Sequence, residues 1–151
     1  MSAAQEHLDI DPQNVNWQSF GSYTGFRYHL LNVDVENRVI DLMFQFDANE
    51  KCFYHAHHQP SSTLVLQGEQ HIWEKDAQGA ETHKVRRAGE FGISNQKEVH
   101  IEGGGPDGGV IYQNIRCGAD PIYSILNDDL STRLDVSLED FANSLAVQNG
   151  E

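Results

Sequence analysis

The chain has 151 residues, 38% of them hydrophobic, and a formal charge of −13. That length suits one domain, residues 1–151, which would bury roughly two-thirds of its unfolded surface. So acidic a chain repels phosphate backbones, which speaks against a nucleic-acid partner, and no apolar run approaches the roughly 20 residues of a membrane span.

The charge is spread along the sequence and reads as a solubilising surface rather than a partner site. The opening "MSAAQEHLDIDPQN" has neither the basic nor the apolar region of an export signal. Cys52 and Cys117, the only cysteines, are therefore expected as reduced thiols in a cytoplasmic protein.

In chain order, strands are expected over "YTGFRYHLLNV" (Tyr23 to Val33) and "RVIDLMFQF" (Arg38 to Phe46). In the second, Ile40, Leu42, Phe44 and Phe46 share one face by the period of two. "STLVLQ" and "EQHIWEK" flank Gly68, which suits a tight bend, and "DAQGAE" suits a hairpin turn. "HKVRR", "FGIS" and "EVHIE" follow as strands, and "GGGPDGG" (Gly103 to Gly109) reads as a loop. "VIYQNIRC" and "IYSILND" complete the strands. Ser137 and Asp140 then make a capping pattern, and Leu138, Phe141, Leu145 and Ala146 an apolar stripe, so a short helix is expected from about Leu138 to Val147. Roughly eight or more short strands at this spacing imply an all-β closed barrel or double-sheet jelly roll, which protects edge strands.

The chemistry concentrates in "FYHAHHQPSST", residues 53–63. Histidines two apart on a strand share a face, so His55 and His57 can aim two imidazoles at one point, while His58 turns away. Neutral imidazole binds divalent transition metals, and His100, beside the glycine-rich stretch, is the candidate third ligand. Glu102 shares the expected face of His100, where it is placed to orient a ligand, bind the ion or act as a base, or else to be a solvated carboxylate. Arg27 would suit an anionic substrate group if it faced inward. Ser61, Thr63 and Tyr112 are further candidates for the cavity wall, and Gln59 for a weak fourth ligand. His29, His71, His83 and Glu98 are expected at the surface or packed, and Trp73 in core or interface. "GGGPDGG" lacks G-K-[ST] and opens no helix, so it is not a phosphate loop.

These residues resemble the two motifs of the cupin superfamily. The first, G-x5-H-x-H-x3-E-x6-G, falls on Asn49, His55, His57, Ser61 and Gly68. Asn at the opening position also tolerates left-handed backbone; Ser61 in place of Glu is the real departure. The second, G-x5-P-x-G-x2-H-x3-N, falls on Gly89, Asn95, Lys97, His100 and Gly104, keeping only the Gly and the His. The likeness covers residues 39–116. It implies a cupin-type double-stranded β-helix with a short C-terminal helix, and a metal held by His55, His57 and His100. Three neutral donors would leave an ion its full charge and open positions for O2 or a chelating substrate. Three-His cupins include the acetylacetone-cleaving and thiol dioxygenases, which use Fe(II), and the chain is also loosely similar to dihydroxyacetophenone-cleaving cupins. The expectation is therefore an Fe(II)-type dioxygenase acting on a small chelating ketone or diketone, with Zn, Mn, Ni or Cu as the other candidate ions and Glu102 or a bound water managing protons. A ligand-binding regulatory cupin and a metal-dependent isomerase or lyase are the alternatives. The partners expected are a small-molecule substrate and a second copy of the chain, as a homodimer.

Overall fold

The computed structural model describes residues 7–95 and 97–151. The reading of the N-terminus as lacking an export signal falls partly on residues 1–6, outside the described residues. The strands are β1 (Gln18–Ser19), β2 (Phe26–Asp34), β3 (Val39–Phe46), β4 (His55–His57), β5 (Ser61–Lys75), β6 (Glu81–Arg87), β7 (Phe91–Ser94), β8 (Glu98–Arg116), β9 (Tyr123–Leu126) and β10 (Thr132–Val136). They form one curled, barrel-like sheet in the order β1-β2-β3-β8-β4-β9-β10, with β5 also on β8 and with β6 and β7 both on β5. This is the jelly-roll architecture that the sequence implies. Among the described residues, no helix is long and apolar enough to cross a membrane.

Two expectations are corrected together. No loop separates Gly103 from Gly109, and no tight bend divides the chain at Gly68: β8 and β5 run through both points as long strands. What the glycines mark is a shared change of face. Along β5 the alternating buried positions are Ser61, Thr63 and Val65, then Gln70 and Ile72; along β8 they are His100 and Glu102 before the glycines and Ile111, Gln113 and Ile115 after them, with Gly103–Gly105 and Gly108–Val110 also buried between. Both strands change parity, and the β5–β8 register shifts twice around Gly68, between Val65 and Gln67 and between Gly68 and Gln70. Gly68 has φ +62°, and a Cβ there would sit 2.3 Å from the Gly108 carbonyl oxygen. Only glycine allows the two backbones to bend against each other at that point.

The expected helix is α1 (Leu138–Gln148). Its capping box is complete: the Asp140 N–H donates to Ser137 Oγ, and the Ser137 N–H to the Asp140 carboxylate. The Gln148 side chain exchanges two 2.9 Å hydrogen bonds with the Leu30 backbone, fastening the helix to β2. Leu138 joins a core of Leu30, Ile40, Leu42, Ile115, Cys117 and Ile122, with Phe141 and Leu145 packed against it. A second cluster of Phe26, Phe46, Val65 and Ile111 carries the partly buried Phe20, Tyr23 and Phe53. β10 and the two-residue β1 are elements the sequence did not delimit. Both cysteines are free thiols.

Candidate metal centre

The strand β4 lies between β8 and β9, and its register sets His55 directly opposite His100. Alternation brings His57 to the same face as His55, and Glu102 to the same face as His100. All four side chains are buried. Their donor atoms converge: His55 Nε2 is 3.0 Å from His57 Nε2, and Glu102 Oε1 is 2.8 Å from His100 Nε2, 3.4 Å from His55 Nε2 and 3.6 Å from His57 Nε2. An ion about 2.1 Å from each donor would space them at about 3.0 Å in an octahedron and about 3.4 Å in a tetrahedron, so this group of four fits a transition-metal ion. Two features of the cluster point to a cation. Two imidazole nitrogens facing each other at 3.0 Å need a proton or an ion between them, and the buried Nε2 of His100 has, among the described residues, no partner in hydrogen-bonding geometry despite its nearness to Glu102.

The carboxylate that Ser61 fails to provide thus comes from Glu102, two residues after His100 on β8. The expected set of three neutral donors becomes three imidazoles and a carboxylate, and a doubly charged ion there would keep a net charge of only +1. His55 is oriented by its Nδ1, 3.0 Å from the Phe53 carbonyl oxygen, which leaves Nε2 for the cluster. Glu98, expected at the surface, is half-buried with its carboxylate 3.5 Å from His100 Nδ1.

The four side chains act on one another's protonation. Burial disfavours charging His100, but Glu102 and Glu98 outweigh it and raise its pKa to about 9. Burial likewise opposes a charge on His55, but the Cys52 sulfur and Glu102 lift it to about 9. His57 falls to about 3, through burial and the neighbouring imidazoles. Burial alone would raise Glu102, but its contacts with the three histidines overcome that effect and hold it well below the usual carboxylate range.

Residues 5–114 match the ChrR cupin-like domain family. The chain belongs to this family of cupins. Solved structures agree on the fold. An acetylacetone dioxygenase from Acinetobacter johnsonii superposes with a TM-score of 0.74 at 15% identity, over 98% of this chain and 95% of that one. An RmlC-like cupin from Ralstonia eutropha gives 0.70 at 11% identity, over 95% and 87%. An oxalate decarboxylase from Bacillus subtilis gives 0.63 at 11% identity, over 91% of this chain and 35% of that one. No curated protein matches the sequence.

The donor cluster of this cupin opens on a cavity of about 110 Å³. Its wall is aromatic: Phe20, Phe26, Phe44, Phe46, Phe53 and Tyr123 take part, and among the described residues no Lys or Arg does. The Tyr123 hydroxyl donates to Gln113 Oε1 at 2.6 Å, and the ring, not the hydroxyl, packs perpendicular to His57. On the other side of His57 and His100 lies a small polar cavity that includes Ser61, Thr63, Gln70, Arg86 and Gln113. Ser61 and Thr63 therefore border the centre, but not its apolar cavity.

Arg27 and Tyr112 border neither cavity. On β2, Phe26 and Tyr28 face the apolar cavity, so Arg27 between them turns outward and grips both oxygens of Asp47 at 2.9 and 3.0 Å. On β8, Ile111 and Gln113 are buried, so Tyr112 turns to the opposite face and donates to Asp41. His58 is turned from the cluster, with Nε2 2.7 Å from Ser124 Oγ, and the Gln59 amide donates to the Pro121 carbonyl. His29 sits 2.9 Å from the Asn16 carbonyl, His71 2.8 Å from His83, and Trp73 stacks on His83. None of these belongs to the centre. The aromatic wall and Gln70 are the site residues that sequence reasoning missed. A signal existed for Phe53, which alternates with His55 and His57, but Gln70 lies beyond the parity change at Gly68.

Proposed function

We propose that this cupin is a metal-dependent dioxygenase that binds an Fe(II)-type ion through His55, His57, His100 and Glu102 and acts on a small, neutral, enolisable chelator such as a β-diketone. The observation that carries this reading is the apolar cavity, lined by no Lys or Arg among the described residues, set directly on a carboxylate-containing donor cluster. Two ion charges less one from Glu102 leave +1. A monoanionic enolate brings the buried assembly to neutrality, whereas a dianion such as oxalate leaves an uncompensated charge against phenylalanine, which is costly.

A bound ion would supply Lewis-acid polarisation of the chelating oxygens and redox chemistry with O2. The chain's own residues do the rest. Phe20, Phe26, Phe44, Phe46 and Phe53 hold the apolar body of the substrate and exclude water. Glu102 faces the imidazoles with Oε1 and accepts from Gln70 with Oε2, so of the roles the sequence offered it, ion donor rather than free base is the one this reading gives it. Asp140, the other acid at this cavity, is occupied by the helix cap. With no free base on the wall among the described residues, the substrate must supply its own enolate, which a β-diketone does in water.

The test is oxygen uptake by Fe(II)-loaded protein with acetylacetone and with oxalate. Consumption with the diketone alone supports the reading. Consumption with oxalate, or with neither across a panel of neutral diketones, contradicts it. A ligand-binding regulatory cupin or an isomerase would give binding or product without oxygen uptake.

A further inference from the structure

Beyond the donor cluster, a second chain of contacts runs away from Glu102. Gln70 is 1% exposed, and its Nε2 donates to Glu102 Oε2 at 3.1 Å. Its Oε1 accepts from Arg86 Nη1 at 3.3 Å. The strand register explains the contact, because Gln70 on β5 and Arg86 on β6 are direct cross-strand partners. The guanidinium passes over Gly92 of β7, where a Cβ would meet Arg86 Cζ at 2.3 Å. Gly92 has no positive φ to accommodate; what it provides there is room for the guanidinium.

We infer that Gln70, locked by Arg86 in the space left by Gly92, is a positioning residue that fixes Glu102 as a one-oxygen metal donor. The chemistry leaves one orientation. Arginine only donates, so the amide oxygen must face Arg86 and the NH2 must face Glu102. That NH2 occupies Oε2 and leaves Oε1 for the ion. Without it, the second carboxylate oxygen is buried without a partner and swings toward the ion, taking a coordination position that a chelating substrate needs. Arg86 thereby acts on the centre through one intervening side chain, from strands that contribute no donor.

The inference rests on the reading of the cluster as a metal centre, and Co2+ alone serves as the probe for both. Full-length wild type, Gln70→Leu, Arg86→Met and Gly92→Ala are loaded with Co2+, with Arg87→Met as control, because alternation turns Arg87 to the opposite face of β6, where it meets Glu69. Affinity is measured by competition, coordination by the visible d–d spectrum and X-ray absorption. The expected result is a weakening of roughly ten- to a hundredfold in Gln70→Leu, with a changed spectrum and a bidentate carboxylate. Arg86→Met and Gly92→Ala should show the same spectral change to a smaller degree, and Arg87→Met none. Gly92→Ala displaces only the flexible end of Arg86, so it decides the matter if Gln70→Leu fails to fold. Wild type that takes up no Co2+ overturns the metal reading and the relay together. Wild type that binds Co2+, with spectrum and affinity unchanged in the Arg86 and Gly92 variants, overturns the relay alone.

Discussion

Loading the metal-free protein with Zn2+ near neutral pH should release two protons, not three. An ion needs the Nε2 lone pair of each histidine, and the three differ in what they hold. His55 and His100, both raised to about 9 against the effect of burial, are protonated at pH 7. His57, lowered to about 3 by burial and its cationic neighbours, is already neutral. Glu102, held well below its usual range in spite of burial, is ionised throughout. Binding therefore competes with two protons below the raised values, and affinity should fall about a hundredfold for each pH unit from 8 to 6, equivalent to about 2.7 kcal/mol. Calorimetric titration in buffers of different ionisation enthalpy counts the protons directly. Release of three would mean that His57 is charged despite its burial. Release of none would mean that Cys52 and Glu102 do not hold a proton on His55, nor Glu102 and Glu98 one on His100, and the electrostatic account would fail.

Other outcomes follow from the same geometry. His57→Ala should abolish tight metal binding while His58→Ala leaves it nearly intact, because His58 is engaged with Ser124; the same calorimetry separates them, and the reverse pattern would place the wrong histidine in the centre. Gly68→Ala should destabilise the fold by more than about 1 kcal/mol, because its Cβ would collide with the Gly108 carbonyl at a positive φ; equilibrium urea unfolding should show a lower midpoint with an unchanged slope. We also propose a homodimer formed through the sheet edge at β1 and β2; light scattering that gives a monomer mass at micromolar concentration would contradict it.

The sequence carried the centre's outline because strand alternation is local. His55 and His57 lie two apart on one strand, as do His100 and Glu102 on another, so their shared faces are visible without a fold. Asn49, in place of a motif glycine, does adopt φ +58°. Arg27 and Tyr112 face away from both cavities for the complementary reason: each alternates with inward residues, Phe26 and Tyr28 for one, Ile111 and Gln113 for the other, a pattern already visible in the sequence. The glycine-rich stretch was harder. Its composition signals a loop, but facing strands used the same residues to bend together, and that closeness of Gly68 to Gly108 is a tertiary fact. Gln70 and Arg86 lay hidden for the same reason, since the parity change at Gly68 must be known before Gln70 can be counted as inward.

Metal content of protein purified without a histidine tag tests the central claim most directly. Mass spectrometric metal analysis of wild type and of His100→Ala, before and after reconstitution with Fe2+, should give about one divalent transition-metal ion per wild-type chain and a near-complete loss in the variant. Wild type that stays metal-free after reconstitution, or a variant that retains the ion, would contradict the claim that His55, His57, His100 and Glu102 form a metal centre.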